Sequence, residues 1–513
     1  MPKMTGGEAV IQTLEAEGIN TFFGVPGGEN LGLFDVIHEH PKVCPIVTRH
    51  EQGAAFMADG YARASRKAGI AVTISGNGFM NAMTPLAQAK ASSSPVLHLT
   101  GLNPQALVDQ VSAFSYYVKQ AQEIPYVIRD AMLRMITVRP GPMALAISHL
   151  FGQVDDIEIR ESEEYQGKDG DAKKIAEAAK LLVQAKRPFI YLGERVVRLQ
   201  ASEELIRLTE LLQAPYFTTR QGKGAVRENH PLYLGAGWDA PIADEVSDKL
   251  MNSIDVALCI EAPAALGRAF SGEVIRSSVD EAEMAQDKSS KLAIGGHTKK
   301  VLSRLCEEVE SLGGRKSEFP RELIAAFKKE ALARDMQIAP LAIETLKLLR
   351  SALPPDTIVT SDSLIGLWGC RWYEILEPNT FHFPNGTLGF GMPAAIGAKL
   401  ACPDKPVVAI AGDGAFMYTA SDLATAVQHK VNIKVVICNS HGFEAIRHHQ
   451  IRRFGRAIAY EHTSPPDFAV FAEAFGAEGV KIDSHEQLPQ ALEKVLKTDR
   501  VSVIDMPLAI PPM

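Results

Sequence analysis

The sequence predicts an α/β protein built from three consecutive doubly wound parallel-sheet domains. Three observations carry that prediction. Short apolar runs rich in Val and Ile, such as Val407–Ala411, alternate with stretches of helical spacing along the whole chain. The length of 513 residues suffices for three domains of ordinary size. Two polar, charged segments, Ile157–Lys173 and Ser311–Arg334, divide the alternation into thirds.

In the first third, Gly6–Glu17 and Asn30–Glu39 have helical spacing, and Thr21–Gly24 and Cys44–Thr48 read as strands. A helix across Glu51–Lys67, strands Gly69–Ser75 and Val96–Thr100, helix Glu123–Thr137 and strand Met143–Ser148 follow. The second unit has helix Ala172–Gln184, strand Pro188–Leu192, helix Ser202–Leu212 and strand Asp255–Ile260. The third has helix Leu341–Ala352, strand Thr357–Ser361, helix Pro393–Ala401 and strands Val407–Ala411, Lys434–Asn439 and Val501–Met506. Domains are expected over 1–165, 172–325 and 335–513, with Ser311–Arg334 wrapping between the last two.

Hydrophobic residues make up 46% and charged residues 22%, a globular balance. A net charge of −8, with only Arg447–Arg456 locally basic, argues against nucleic acid as a partner. The six cysteines (Cys44, Cys259, Cys306, Cys370, Cys402, Cys438) form no C-x-x-C pair, so neither a zinc site nor a disulfide framework is expected. No signal-like N-terminus and no apolar run of spanning length is visible, so a reduced cytoplasmic setting is expected.

The strongest local feature is the apolar run from Val407 that ends in Gly412-Asp413-Gly414, with a second such run ending in Cys438-Asn439-Ser440. Glycines let backbone N–H groups approach a phosphate, and a following helix would direct its positive end there. An acid at that place would repel phosphate unless a cation lay between them. Asp413 therefore implies a divalent metal, with magnesium suited to carboxylate and diphosphate oxygens. Ser440 and the backbone near Gly442 are placed to complete its coordination, at the carboxyl ends of parallel strands. Taken alone, Gly-Asp-Gly is equally a tight turn.

Several segments in order carry a resemblance: Phe23-Gly24-Val25-Pro26-Gly27-Gly28, the run Arg49–Ala64, Gly386–Gly397, and Gly412-Asp413-Gly414 through Ser440. They are similar to the thiamine-diphosphate-dependent superfamily of acetolactate synthases, benzaldehyde lyase and the 2-oxo acid decarboxylases, over essentially the whole chain. The resemblance implies a pyrimidine-binding domain, a middle domain and a diphosphate-binding domain. It implies that thiamine diphosphate and Mg2+ are bound by Leu388, Gly412, Asp413, Gly414, Ala415, Ser440 and Gly442. Glu51 falls on the glutamate that exchanges a proton with the aminopyrimidine ring, and Leu388 on the residue wedged between the cofactor's rings. It also implies an assembly of at least two copies, a dimer or tetramer with sites at the subunit interface.

The sequence departs from the family at four places. The second Asn of the cofactor motif, a metal ligand, is Ser440. The segment Leu102–Val118 is short and offers no clear match for the active-site Gln or His residues of relatives. His449 falls where acetolactate synthases have a Trp; it shares a helix face with Ile446 that the resemblance turns towards substrate, and a proton relay there competes with a solvent-facing role. His448 is expected to be exposed. The middle domain has no flavin fingerprint, although Gly267-Arg268 sits where acetolactate synthases carry an Arg motif, and FAD is not predicted.

The substrate pocket is expected to include Gly28, Asn77, Phe79, Ser363, Leu364, Phe443, Ile446 and His449. The chemistry implied is addition of the cofactor ylide to a 2-oxo acid or related carbonyl compound, with decarboxylation or C–C cleavage. Two outcomes stay open: release of an aldehyde, or capture of a second carbonyl compound by an acetolactate synthase-like carboligase. A cofactor-binding homologue with a structural or regulatory role is the alternative of another class.

Overall fold

The computed structural model describes residues 2–137, 140–159, 167–236, 245–262, 271–314, 319–462 and 464–513. Its apolar runs are strands buried on both faces, as parallel sheets covered by helices require. The N-terminal third holds Lys3–Thr5 (β1), Thr21–Gly24 (β2), Cys44–Val47 (β3), Gly69–Val72 (β4), Val96–Thr100 (β5), Phe114–Tyr117 (β6), Met143–Ala146 (β7) and Val154–Asp156 (β8). The middle third holds Pro188–Leu192 (β9), Tyr216–Thr218 (β10), Tyr233–Ala236 (β11), Val256–Ile260 (β12), Glu273–Ser278 (β13) and Leu292–Gly295 (β14). The last third holds Ile358–Ser361 (β15), Phe381–His382 (β16), Val407–Gly412 (β17), Lys434–Asn439 (β18), Glu478–Lys481 (β19) and Ser502–Pro507 (β20).

These strands form three six-stranded sheets, each parallel in every described pairing, and β1 pairs antiparallel with β8. The first sheet runs β3-β2-β4-β5-β7-β6 and the last β16-β15-β17-β18-β20-β19. Counted from its own first strand, each has the order 2-1-3-4-6-5. The middle sheet runs β11-β10-β9-β12-β13-β14, the 3-2-1-4-5-6 order of dinucleotide-binding folds. The outer domains are thus copies of one topology, and the middle one is of a different kind.

The two outer domains are clamped by a helix pair, Glu51–Ser65 against Gly391–Ala401. A Cβ at Gly60 would lie 2.2 Å from the Ala394 carbonyl oxygen, and one at Gly397 would lie 1.9 Å from that of Met57. Only glycine lets the backbones meet there. Beside the contact, Arg63 Nε pairs with the buried Asp59 at 2.7 Å, and Arg63 Nη1 donates to the Phe383 carbonyl at 3.1 Å. Asn379 Nδ2 returns a hydrogen bond to the Arg63 carbonyl at 3.0 Å.

The segment expected to wrap between domains is more regular than its composition suggests. Arg321–Ile338 is one helix of 18 residues that buries Ile324, Phe327 and Ala331 with the middle-domain core. Its Asp335 accepts from Arg371 Nη1 at 2.8 Å and Trp372 Nε1 at 2.9 Å, tying it to the last domain. All six cysteines are unpaired, and among the described residues no helix is long and apolar enough to cross a membrane.

Candidate active site

The expected site residues gather at the carboxyl ends of adjacent strands in both outer domains. In the last domain, Leu388 follows β16, Ser363 and Leu364 follow β15, Asp413 follows β17, and Ser440 and Gly442 follow β18. They line one cleft of about 470 Å3, together with Gly412, Gly414, Ala415, Phe443 and Ile446. That volume lies in the range of small-molecule and cofactor sites.

Asp413 is 2% exposed. Its Oδ2 accepts from the Gly442 amide at 3.0 Å, and its Oδ1 lies 3.4 Å from the donor Ser440 Oγ. Ser440 Oγ also donates to the Gly442 carbonyl at 3.0 Å. A carboxylate, a hydroxyl and a backbone carbonyl therefore converge from two strand ends, a set of hard oxygen donors suited to Mg2+. Ser440, standing in place of Asn, is within reach of the other two. Among the described residues no group of three or more His, Cys, Asp and Glu is placed to hold a metal. An ion here would thus draw its remaining oxygens from a diphosphate and water. The geometry fits the cofactor.

The helix expected after Gly-Asp-Gly is in fact broken. Asp413–Met417 spans 5 residues, a 3-10 turn follows at Ala420–Asp422, and Leu423–Gln428 adds 6 more. Its macrodipole is correspondingly small, so free N–H groups of the first turn are what a diphosphate would meet.

Two buried acids support this arrangement, and sequence reasoning missed both. Asp362 caps the Ser363–Trp372 helix through the Ser363 amide at 2.7 Å, and it accepts from the amides of Phe390 at 2.7 Å and Gly391 at 3.2 Å. It therefore holds the turn that presents Leu388. Burial pushes its carboxyl up to about 6, against the pull of those amides. Ser363, at φ +55°, accepts from the Gly412 amide at 2.9 Å and so links the Leu388 turn to the Asp413 turn. An Asp directly after a buried strand and before a helix is an N-cap signature that could have found it.

Asp422 lies under the first turn of the Glu51 helix: a Cβ on Gly53 would sit 1.9 Å from its Oδ2. Burial pushes its carboxyl up to about 7, offset in part by the Arg49 amide. A raised carboxyl pKa means the folded state binds the proton more tightly than the unfolded state, from about pH 4 to about 7. Its contribution to stability is therefore lost as pH rises through that window. Asp422→Asn should match the wild type near pH 5 and exceed it at pH 8 by on the order of 2–3 kcal/mol. Urea midpoints at the two pH values check this, and equal gains at both would refute it.

In the N-terminal domain, Gly28, Glu51 and Asn77 follow β2, β3 and β4, three neighbouring strands. Glu51 is half-buried and accepts from Asn81 Nδ2 at 3.0 Å, while Gly28 and Asn77 are exposed. None of the three lines the Asp413 cleft. Phe79 is placed differently from the expectation: it is wholly buried and stacks on His98 with ring centroids 5.8 Å apart. On the Glu444–Phe454 helix, Ile446 reaches the cleft, but His449 is exposed and outside the lining. His448, expected in solvent, is half-buried and 3.5 Å from Glu444. His462, which sequence reading passed over, stands 3.4 Å from Asp413 Oδ2 and edge-on to Phe443. Nothing local in the sequence marks it.

Family profiles match all three thirds of the chain. They are described as the N-terminal TPP binding domain of thiamine pyrophosphate enzymes, over residues 4–124, the central domain, over 175–305, and the C-terminal TPP binding domain, over 364–506. The chain belongs to the thiamine pyrophosphate enzymes. Its similarity to individual members runs end to end. The chain is 32% identical to a probable acetolactate synthase large subunit of Methanocaldococcus jannaschii, over 98% of this chain and 92% of that one. It is 29% identical to the acetolactate synthase isozyme 2 large subunit of Escherichia coli, over 97% and 94%. For the acetolactate synthase large subunit of Corynebacterium glutamicum the identity is 28%, over 98% and 86%.

In this thiamine pyrophosphate enzyme the middle-domain switch point lies between β9 and β12, and the chain's own ions occupy it. Arg195 Nε pairs with Glu261 at 2.9 Å, and Arg276 pairs with Asp287 at 2.9 Å. Gly193 meets the Glu261 backbone so closely that a Cβ would lie 1.8 Å from its carbonyl oxygen. Gly267 and Arg268 lie outside the described residues.

Proposed function

We propose that this enzyme is a carboligase: it removes carbon dioxide from a 2-oxo acid and joins the remaining fragment to a second carbonyl compound. Bound thiamine diphosphate supplies the electron sink that makes decarboxylation feasible. Asp413, Ser440 and the Gly442 carbonyl would hold Mg2+ and through it the diphosphate. Leu388 would keep the rings folded, and Glu51 would exchange a proton with the aminopyrimidine.

The observation that carries carboligation over simple decarboxylation is the lining of the cleft. Its wall is largely apolar, with Leu364, Leu367, Leu388, Ile446, Leu508 and Ile510. Among the described lining residues there is no His, Lys or Tyr to deliver a proton near neutral pH. Burial pushes the Cys438 thiol far up, so it is no donor either. A fragment that is not protonated quickly survives to meet a second carbonyl. The names of the full-length relatives support the same reading.

Glu51 does not line the Asp413 cleft of its own chain, which supports a working unit of two copies, each lending its Glu51 to the other's cleft. Exposed apolar side chains near both faces support this: Leu31 and Met80 on one, Met417, Tyr418 and Ile446 on the other. Unpaired cysteines suit a cytoplasmic setting.

The test is to incubate the enzyme with thiamine diphosphate, Mg2+ and a series of 2-oxo acids, with and without acceptors. Carbon dioxide and C–C bonded product are quantified separately. Ligated product should account for most of the carbon dioxide released. Aldehyde as the main product would make the enzyme a decarboxylase. Cofactor binding without any carbon dioxide would favour the structural homologue.

A further inference from the structure

Glu29 stands beside Gly28 on the carboxyl side of β2, and its carboxylate reaches across the ends of neighbouring strands. Oε2 accepts from the Ser75 amide at 2.9 Å, and Oε1 accepts from the Ser75 hydroxyl. The Ser148 hydroxyl donates to Oε2 at 3.5 Å, and a Cβ at Gly101 would collide with that same oxygen. Ser75 follows β4, Gly101 follows β5 and Ser148 follows β7, so the carboxylate is fastened over the middle of the sheet. Glu29 is nevertheless exposed. A long side chain that is pinned yet open presents its charge at a fixed place.

The turn that receives Glu29 also borders Glu51. Asn103 Oδ1 holds this turn by accepting from the Gly76 amide at 2.9 Å, and a Cβ at Gly78 would lie 3.3 Å from Glu51 Oε1. Glu29 and Glu51 thus flank Ser75–Gly78 from its two ends, and neither lines the Asp413 cleft of its own chain. The segments Thr73–Asn77 and Gly101–Pro104 contain no charged residue, and His149, next to Ser148, is stacked on Tyr117. Among the described residues no cation pairs with Glu29. The Ser75 hydroxyl above all, with the Ser75 amide, holds its carboxyl below the usual range against the opposing pull of burial. The face that carries Glu51 therefore carries a second negative charge, fixed and not neutralised.

We propose that Glu29 selects the acceptor: brought with Glu51 to the partner copy's cleft, its charge excludes a second 2-oxo acid, so that neutral aldehydes are the compounds joined. The inference deepens the carboligase reading and rests on it, and on two copies sharing their sites. In the reaction the bond to the donor's carboxyl carbon breaks and carbon dioxide leaves uncharged. The electron pair left behind forms the new bond to the aldehyde carbon, whose oxygen takes up a proton. Glu29 acts differently on the two partners. It repels a donor acid on binding, but that repulsion is relieved as the carboxylate becomes carbon dioxide, which favours the step. An acidic acceptor keeps its carboxylate throughout bond formation, so the repulsion persists to the product.

Glyoxylate and its amide, glyoxylamide, differ in charge and hardly in shape, and they serve as competing acceptors. The donor is the 2-oxo acid that releases most carbon dioxide. For the wild type, kcat/KM for the amide should exceed that for glyoxylate by roughly 10- to 100-fold. Glu29→Gln should bring the ratio close to one, and Glu29→Asp, which keeps the charge, should retain part of the preference. Deuterium exchange at the thiazolium carbon reports whether the turn beside Glu51 has moved in Glu29→Gln. If that exchange slows, Glu29→Asp decides: a retained preference supports the assignment and a lost one overturns it. A wild type that takes glyoxylate as readily as the amide overturns it, as does a preference unchanged in Glu29→Gln. Carbon dioxide without ligated product from either acceptor refutes the carboligase reading, and the role of Glu29 falls with it. Ligated product formed mainly from glyoxylate refutes the role of Glu29 alone.

Discussion

Asp413→Ala is expected to weaken binding of thiamine diphosphate in the presence of Mg2+ by at least about 100-fold. Substitutions that only reorient a metal ligand already cost roughly 10- to 100-fold in affinity, and Asp413 would be a ligand itself. The size of the effect follows from its surroundings. Asp413 is the only carboxylate among the convergent donors, and the Gly442 amide and Ser440 hydroxyl are aimed at it. Without it, the diphosphate would face backbone dipoles but no fixed metal. Calorimetric titration with and without Mg2+ is the direct measurement. The wild type should lose most of its affinity when Mg2+ is chelated, and the variant should be indifferent to the metal. Equal affinities for the two proteins would remove Asp413 from the site.

Glu51→Gln should leave cofactor affinity within a few-fold of the wild type but slow deuterium exchange at the thiazolium carbon by about 100- to 10,000-fold, the usual worth of a positioned acid or base. Gln keeps the shape and can still bond Asn81, so the Glu51–Ser65 helix has no reason to move. What it cannot do is take and return a proton at the aminopyrimidine. Exchange at the wild-type rate would show that another group performs that transfer. If the two copies share their sites, mixing Glu51→Gln with Asp413→Ala subunits should restore one competent site per pair, a result that an isolated chain could not give.

Eleven of the strands, among them β4, β5, β9, β12, β17 and β18, could be read from the sequence because they are apolar runs whose ends carry turn residues, whereas the short strands β6, β16 and β19 and the strands β10, β11, β13 and β14 of the middle sheet were not expected. Two helices near the site could not be read either. Asn77–Ala91 contains Pro85 and buries residues on several sides, so no amphipathic stripe betrays it. Ser363–Trp372 contains Gly366 and Gly369, which read as breakers until Phe383 and Phe381 are seen packed against them. The same contrast runs through the site. Asp413 and Leu388 were found because each sits in a local signature. The hold of Asp362 on the Phe390 amide and the place of Asp422 under Gly53 join elements distant in sequence, and only the folded chain brings those elements together. His449 shows the converse: helical spacing placed it correctly beside Ile446, but spacing alone does not say where a helix face ends and solvent begins.

The clamp between the Glu51–Ser65 and Gly391–Ala401 helices also sets a timetable. Arg63 waits for a carbonyl 320 residues further along the chain. At ribosomal rates of about 5–20 residues per second, the first domain, which ends with β8, is complete for roughly 12 to 50 seconds before its partner helix Gly391–Ala401 exists. Throughout that interval an Ala- and Gly-rich helix face, tailored for a backbone-to-backbone contact, lies uncovered. Small residues make it a weak target for stray hydrophobic association, so the feature that permits the tight final fit also protects the nascent chain. Bulkier side chains at Gly60 or Gly397 would then harm the protein twice, once in the clamp and once on the ribosome.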